Sequence, residues 1–160
     1  MSISIKDKEL VAIGVSVAAG CKPCTNFHLK AASKAGRSRD EVRSVVTIAG
    51  RVRNEATEIM VQHALTQPVS AAHSSETRDA DRIAVLTAVG AAFAVNCTTS
   101  LAAYLEAAER IGLASAEVAE VVELARFIKQ MGASHVEKMV EADGTEFADS
   151  QETGVTRCGC

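Results

Sequence analysis

The chain has 160 residues, is 48% hydrophobic and 23% charged, and carries a net charge of −3 with no basic run. That length suits one domain or two small repeats sharing a core, and the charge excludes the electrostatic footprint of a nucleic-acid binder. Much of the apolar content is alanine and valine, which points to closely packed helices, and five cysteines, an odd count, point to redox or metal chemistry rather than a disulfide scaffold.

Met1 to Glu9 has no basic segment followed by an apolar one, so it does not read as a secretory signal. The longest mostly apolar run, Leu10–Gly20, is too short to span a bilayer. The expectation is a soluble, cytoplasmic protein with no membrane partner.

Glu9 to Ala19 reads as a first helix. Leu10, Val11, Ile13, Gly14, Val17 and Ala18 form its apolar face and Gly20 stops it. A second helix is expected from about Pro23 to Ala35, with Gly36 as its cap. Ser38 and Glu41 form a capping box that opens a third, whose apolar set is Val42, Val45, Val46, Ile48 and Ala49. Gly50 is placed as a break or kink, with helix resuming from about Arg53 to Leu65 and ending before Pro68. Residues 68–77 read as a polar linker.

Beyond the linker the pattern returns at a shift of 76 residues. Leu10 meets Leu86, Cys21 meets Cys97, Gly36 meets Gly112, and Glu41-Val42 meets Glu117-Val118. Helical periodicity alone matches apolar classes, not glycines and a cysteine, so the chain reads as an internal duplication. The fold expected is all-α, a helical bundle built from a duplicated antiparallel-helix unit. It would form one domain over residues 1–142, with repeats at about 6–67 and 78–142. The second copy has Ser100 for Cys24, Tyr104 for His28 and Val85 for Glu9, so only the first keeps the reactive groups. Residues 143–160 are polar, read as a mobile tail, and end in Cys158-Gly159-Cys160.

The chemistry concentrates at Cys21-Lys22-Pro23-Cys24 and His28. With a helix starting near Pro23, Cys21 sits at its N-terminal edge, and Cys24 and His28 lie one turn apart on one face. The positive end of the helix dipole favours thiolate there. If the first two helices form a hairpin turning at Gly20, Glu9 and His28 lie roughly 16 Å and 12 Å below the turn. Packed helices are ~8–10 Å apart, so Glu9 comes within direct or water-mediated reach of His28. Carboxylate, imidazole and two thiols in series form a path that can take a proton from Cys24 and pass it on.

Glu9, the CxxC of Cys21 and Cys24, and His28 resemble the E…CxxC…H signature of the alkyl hydroperoxidase D family, within the carboxymuconolactone-decarboxylase-like superfamily. The flanking Leu10–Gly20 and His28–Gly36 segments are similar too. The resemblance implies an all-α fold, thiol-dependent reduction of a hydroperoxide, and no cofactor or metal. It implies that Cys24 attacks, Cys21 resolves the sulfenate, and His28 and Glu9 relay protons. It further implies an external dithiol or protein reductant and a homo-oligomer, with a trimer favoured for a two-repeat chain. Two positions depart from the best-known member. Pro23 stands where that protein has a histidine, and the active motif lies in the first half of the chain rather than the second.

Two other readings use the same residues. A carboxymuconolactone-type decarboxylase needs an acid–base pair and a cationic anchor, for which Lys30, Arg51 and Arg53 are available, but no dithiol. A metal- or metalloid-binding thiol module would draw on Cys21, Cys24, His28 and the tail cysteines. His63, His73 and His135 have no evident chemical neighbours; His63 suits a helix C-terminus, His73 the linker, and His135 a packed or half-buried site. Cys97 reads as an inert small apolar residue. Cys158 and Cys160, on a tail reaching ~20–25 Å, are candidates to attack the Cys21–Cys24 disulfide and relay electrons from a donor.

Overall fold

The computed structural model describes residues 2–65 and 81–143, and these form six α-helices. They are α1 (Ile5–Ala18), α2 (Lys22–Lys34), α3 (Arg39–Ala64), α4 (Arg82–Ala94), α5 (Thr98–Arg110) and α6 (Ser115–Ala142). No strand occurs among the described residues, so the chain is an all-α bundle. The linker at 68–77 and the tail beyond Asp143, with Cys158 and Cys160, lie outside them, as does His73.

α1 begins earlier than its apolar pattern suggests. Ser4 caps it, its Oγ accepting from the Asp7 N–H at 3.1 Å, with Asp7 in the first turn. It ends in a Schellman motif: the Gly20 N–H donates to Val17 O at 3.1 Å and the Cys21 N–H to Ser16 O at 3.0 Å. Gly20 takes the left-handed conformation this requires, at φ 72°. Arg53 Nη1 adds a hydrogen bond to Ala18 O at 3.0 Å.

Leu10 through Ser16 are all buried, so α1 has no solvent face there. It is a central helix rather than the amphipathic one the sequence suggested. α4 is the same, buried from Val85 through Ala92. The two central helices pack on each other, α3 packs against both, α2 covers α1, α5 covers α4, and α6 lies across α4, α1 and α2. The approach of α1 to α4 is close enough to require glycine. A Cβ on Gly14 would stand 2.3 Å from Thr87 Cγ2, and one on Gly90 2.5 Å from Val15 Cγ2. Each large side chain fully buried at this seam, such as Val11, Val15, Leu86 and Val89, contributes ~1.5–3 kcal/mol by removal from water.

α3 runs unbroken through Gly50, against the expected kink. Ala49 and Val52 on either side are fully buried, and that packing outweighs the ~1 kcal/mol that a helical glycine costs relative to alanine. Ser38 and Glu41 cap its start reciprocally, at 3.2 and 2.7 Å.

A charge network ties the two halves together. Arg37 pairs with Asp7 and Glu41, and Arg82 bridges Asp7 to Glu117. Burial works to raise the Asp7 carboxyl, but the Ser4 hydrogen bond and the two guanidiniums outweigh it and hold the group below its usual range. Glu117 is held low by hydrogen bonds from Arg82 and the Ala114 N–H, and Glu41 by those from the Ser38 N–H and Arg37.

Candidate active site

Local folding brings the two thiols together. The Schellman motif that closes α1 leaves Cys21 as the N-cap of α2, where its Sγ accepts from the Cys24 N–H at 3.2 Å. Pro23 occupies the first turn of α2, where a missing N–H is harmless. Thr25 Oγ1 lies 2.9 Å from Cys21 O and 3.0 Å from Ser16 Oγ, and Ser16 Oγ donates to Ile13 O. These bonds fix the α1–α2 corner. Cys21 and Cys24 are joined in a disulfide, with Cα atoms 5.3 Å apart. Cys21 is 4% exposed and Cys24 9%.

Glu9 and His28 face each other across the α1–α2 hairpin, with Glu9 Oε2 2.8 Å from His28 Nδ1. Both side chains are largely covered, at 21% and 13% exposure. A proton on Nδ1 donated to Glu9 leaves Nε2 as the acceptor of the neutral ring.

Cys24 and His28 open onto one cavity of about 290 Å³ between α2 and α6. Its other lining residues are Pro23, Phe27, Phe127, Ile128, Met131 and His135. The wall is apolar except for the Cys24 sulfur and two imidazoles. Phe27 and Phe127 are exposed, at 67% and 59%. Cys21 is not in the wall. It lies against α6, where a Cβ on Gly132 would meet Cys21 Cβ at an ordinary 3.5 Å.

His135 is the residue sequence reasoning missed. It is half-buried, as expected for a packed position, but it does have chemical neighbours. A ring nitrogen of His135 and the sulfurs of Cys21 and Cys24 all lie within 4.8 Å of one another. Nothing local to Cys21–His28 signals this, because α6 brings the residue in from the far end of the chain. A weak signal exists in register: at the 76-residue shift His135 falls on Ile59, so an ionisable group replaces an apolar one on the helix that packs on the CxxC helix.

At the corresponding corner of α4 and α5, Cys97 is buried and free. It caps α5, accepting from the Ser100 N–H at 3.4 Å and donating to Ser100 Oγ at 3.1 Å. Tyr104 donates to Glu55 Oε2 at 3.0 Å. Burial, aided by the Glu55 charge, pushes the Tyr104 phenol up to about 12. The anchor candidates Arg51 and Arg53 are engaged elsewhere, with Glu55 and with the end of α1. His63 is in the last turn of α3 and exposed. No described helix is long and apolar enough to cross a membrane.

The disulfide pair with His135 beside it is consistent with a thiol-based redox role. Residues 2–53 match the model of the carboxymuconolactone decarboxylase family. No curated protein and no solved structure matches the chain. The matched residues span α1, α2 and the first half of α3, the elements that carry Glu9, Cys21, Cys24 and His28. Over that stretch, about a third of the chain, the protein is similar to the carboxymuconolactone decarboxylase family.

Proposed function

We propose that the protein is a thiol-dependent hydroperoxide reductase of the alkyl hydroperoxidase D type, with Cys24 as the attacking thiol. One observation carries the reading: Cys24 borders the apolar cavity together with His28, whose Nδ1 is bonded to Glu9, while Cys21 is not in its wall. His28 takes the Cys24 proton, and the thiolate attacks the terminal oxygen of ROOH. The O–O bond breaks, Cys24 becomes a sulfenic acid, and the alkoxide takes the proton back from His28 to leave as ROH. Cys21 then attacks the Cys24 sulfur. Hydroxide leaves with the Cys21 proton as water, and the disulfide forms. An external dithiol or protein reductant restores both thiols, so each cycle converts ROOH and a dithiol into ROH, water and a disulfide.

The cavity wall holds no lysine or arginine, which disfavours a lactone carboxylate and hence the decarboxylase alternative. The similar lengths and 76-residue offset of α1–α3 and α4–α6, with a cysteine capping both α2 and α5, support a duplicated unit. A homotrimer belongs to the same proposal. The test is to mix reduced protein with an alkyl hydroperoxide. The expected result is loss of two thiols per hydroperoxide consumed, and turnover when a dithiol is added. Unchanged thiols with active lactone decarboxylation would reverse the assignment.

A further inference from the structure

We propose that, once the Cys21–Cys24 disulfide is reduced, the two thiolates and His135 hold a zinc ion, and that hydroperoxide empties this site by restoring the disulfide. Three donors that lie within 4.8 Å of one another are close to what one zinc requires. Zn–S bonds of ~2.3 Å and Zn–N bonds of ~2.0–2.1 Å in a tetrahedron put donors roughly 3.5–3.8 Å apart. Reduction frees the sulfurs to separate to that distance by side-chain rotation alone. The donors come from two elements: α2 supplies the thiols and α6 supplies the imidazole. The zinc would therefore clip α6 to the start of α2.

Charge favours the ion. A reduced pair of thiolates puts two negative charges at largely buried sulfurs, Cys24 in a cavity wall with no lysine or arginine and Cys21 beside it against α6. Uncompensated charge in such surroundings is costly. A divalent cation makes the group neutral. Thiolate and imidazole select zinc over the hard cations magnesium and calcium. With three protein ligands the fourth position is left to water or an incoming thiol from the cavity side, as in open zinc sites. His28 is a weaker candidate than the CxxC spacing suggested, because it is not among the donors that lie within 4.8 Å of one another.

Release by hydroperoxide balances as follows. The zinc dithiolate, ROOH and two protons give the disulfide, Zn²⁺, ROH and water. The two sulfurs lose two electrons and the O–O bond gains them. Zinc binding itself does not depend on the hydroperoxidase reading; its release by hydroperoxide does.

The experiment titrates Zn²⁺ into the full-length reduced protein against a chromophoric chelator, in parallel with the disulfide form. Expected are one zinc per reduced chain, none in the disulfide form, and zinc release on adding alkyl hydroperoxide. His135→Ala, and His135→Gln should the alanine variant fail to fold, should weaken binding at least ~10-fold, and more than His28→Ala does. Cys158→Ser/Cys160→Ser in the full chain should leave affinity unchanged. Co²⁺ should give a thiolate charge-transfer band that Cys21→Ser and Cys24→Ser each diminish. No zinc on the reduced protein, undiminished affinity in His135→Gln, or loss of zinc with the tail cysteines alone each overturns the site. Absent zinc binding with hydroperoxide still oxidising Cys21 and Cys24 refutes only the zinc site. Tight zinc binding with no oxidation of the zinc-free dithiol refutes the release step and the hydroperoxidase reading together.

Discussion

Gly14→Ala probes the seam on which the active corner is mounted, because α1 carries Glu9 and delivers Cys21. An alanine methyl there would lie 2.3 Å from Thr87 Cγ2 and 3.2 Å from the Val45 carbonyl oxygen, whereas ordinary contact begins at 3.4 Å. The helices or Thr87 must yield by roughly 1 Å, and between fully buried groups such overpacking costs ~3 kcal/mol. Better helix propensity returns ~1 kcal/mol, for a net loss of ~2 kcal/mol. Thr87→Ala removes one buried methyl, a loss of ~1 kcal/mol. It also removes a buried hydroxyl that has no hydrogen-bond partner among the described residues, a gain of similar size, ~1 kcal/mol. The double variant keeps only the 3.2 Å approach to the Val45 carbonyl oxygen, whose cost of ~1 kcal/mol offsets the propensity gain, and it should return close to wild type. Urea unfolding with unchanged m-values measures the cycle. A coupling of ~2 kcal/mol is expected, and Gly14→Ala alone should lower Tm by ~4–8 °C. If the double variant is as unstable as Gly14→Ala, the contact is not where the stability is lost.

Acid should destabilise the fold in a defined window. Asp7, Glu41 and Glu117 have folded pKa values below their unfolded ones, so their stabilisation is complete above the unfolded values of ~4 and is lost as pH falls through the folded ones. The urea midpoint should hold from pH 7 to 5 and drop below about 4, with a shallower drop in Arg37→Gln; a flat profile to pH 3 would contradict this. Glu9→Gln and His28→Ala should each slow oxidation of Cys24 by about 10²-fold, and the double variant should be no slower than the worse single one. Stopped-flow thiol loss reads this, and fully additive losses would mean the two residues do not act in series. Gly132→Ala should stabilise the oxidised protein by ~0.5–1 kcal/mol, since its methyl meets Cys21 Cβ at 3.5 Å; a lower thermal midpoint would place α6 closer to the disulfide than described.

Much of this site is written locally. Gly20 dictates the Schellman turn, the turn sets Cys21 at a helix start, and the next seven residues carry Cys24 and His28 along one helix. Hairpin geometry then brings Glu9 to His28. What the chain does not announce is set by tertiary packing. α1 from Leu10 to Ser16 and α4 from Val85 to Ala92 are buried on all sides, a fact decided by neighbours rather than by their own periodicity. Gly50 stays helical because Ala49 and Val52 are anchored in the core. His135 joins the thiols only because α6 folds back over α2, and Asp7 meets Arg82 only because the halves dock.

The most direct test of Cys24 as the attacking thiol is to locate the sulfenic acid. Reduced Cys21→Ser and Cys24→Ser proteins are each treated with one equivalent of alkyl hydroperoxide and a sulfenate-trapping nucleophile, then mapped by peptide mass spectrometry. The expected result is an adduct on Cys24 in Cys21→Ser and none on Cys21 in Cys24→Ser. An adduct on Cys21 in Cys24→Ser, with Cys24 unmodified in Cys21→Ser, would contradict the assignment of roles, and no adduct on either would contradict hydroperoxide reduction at this site.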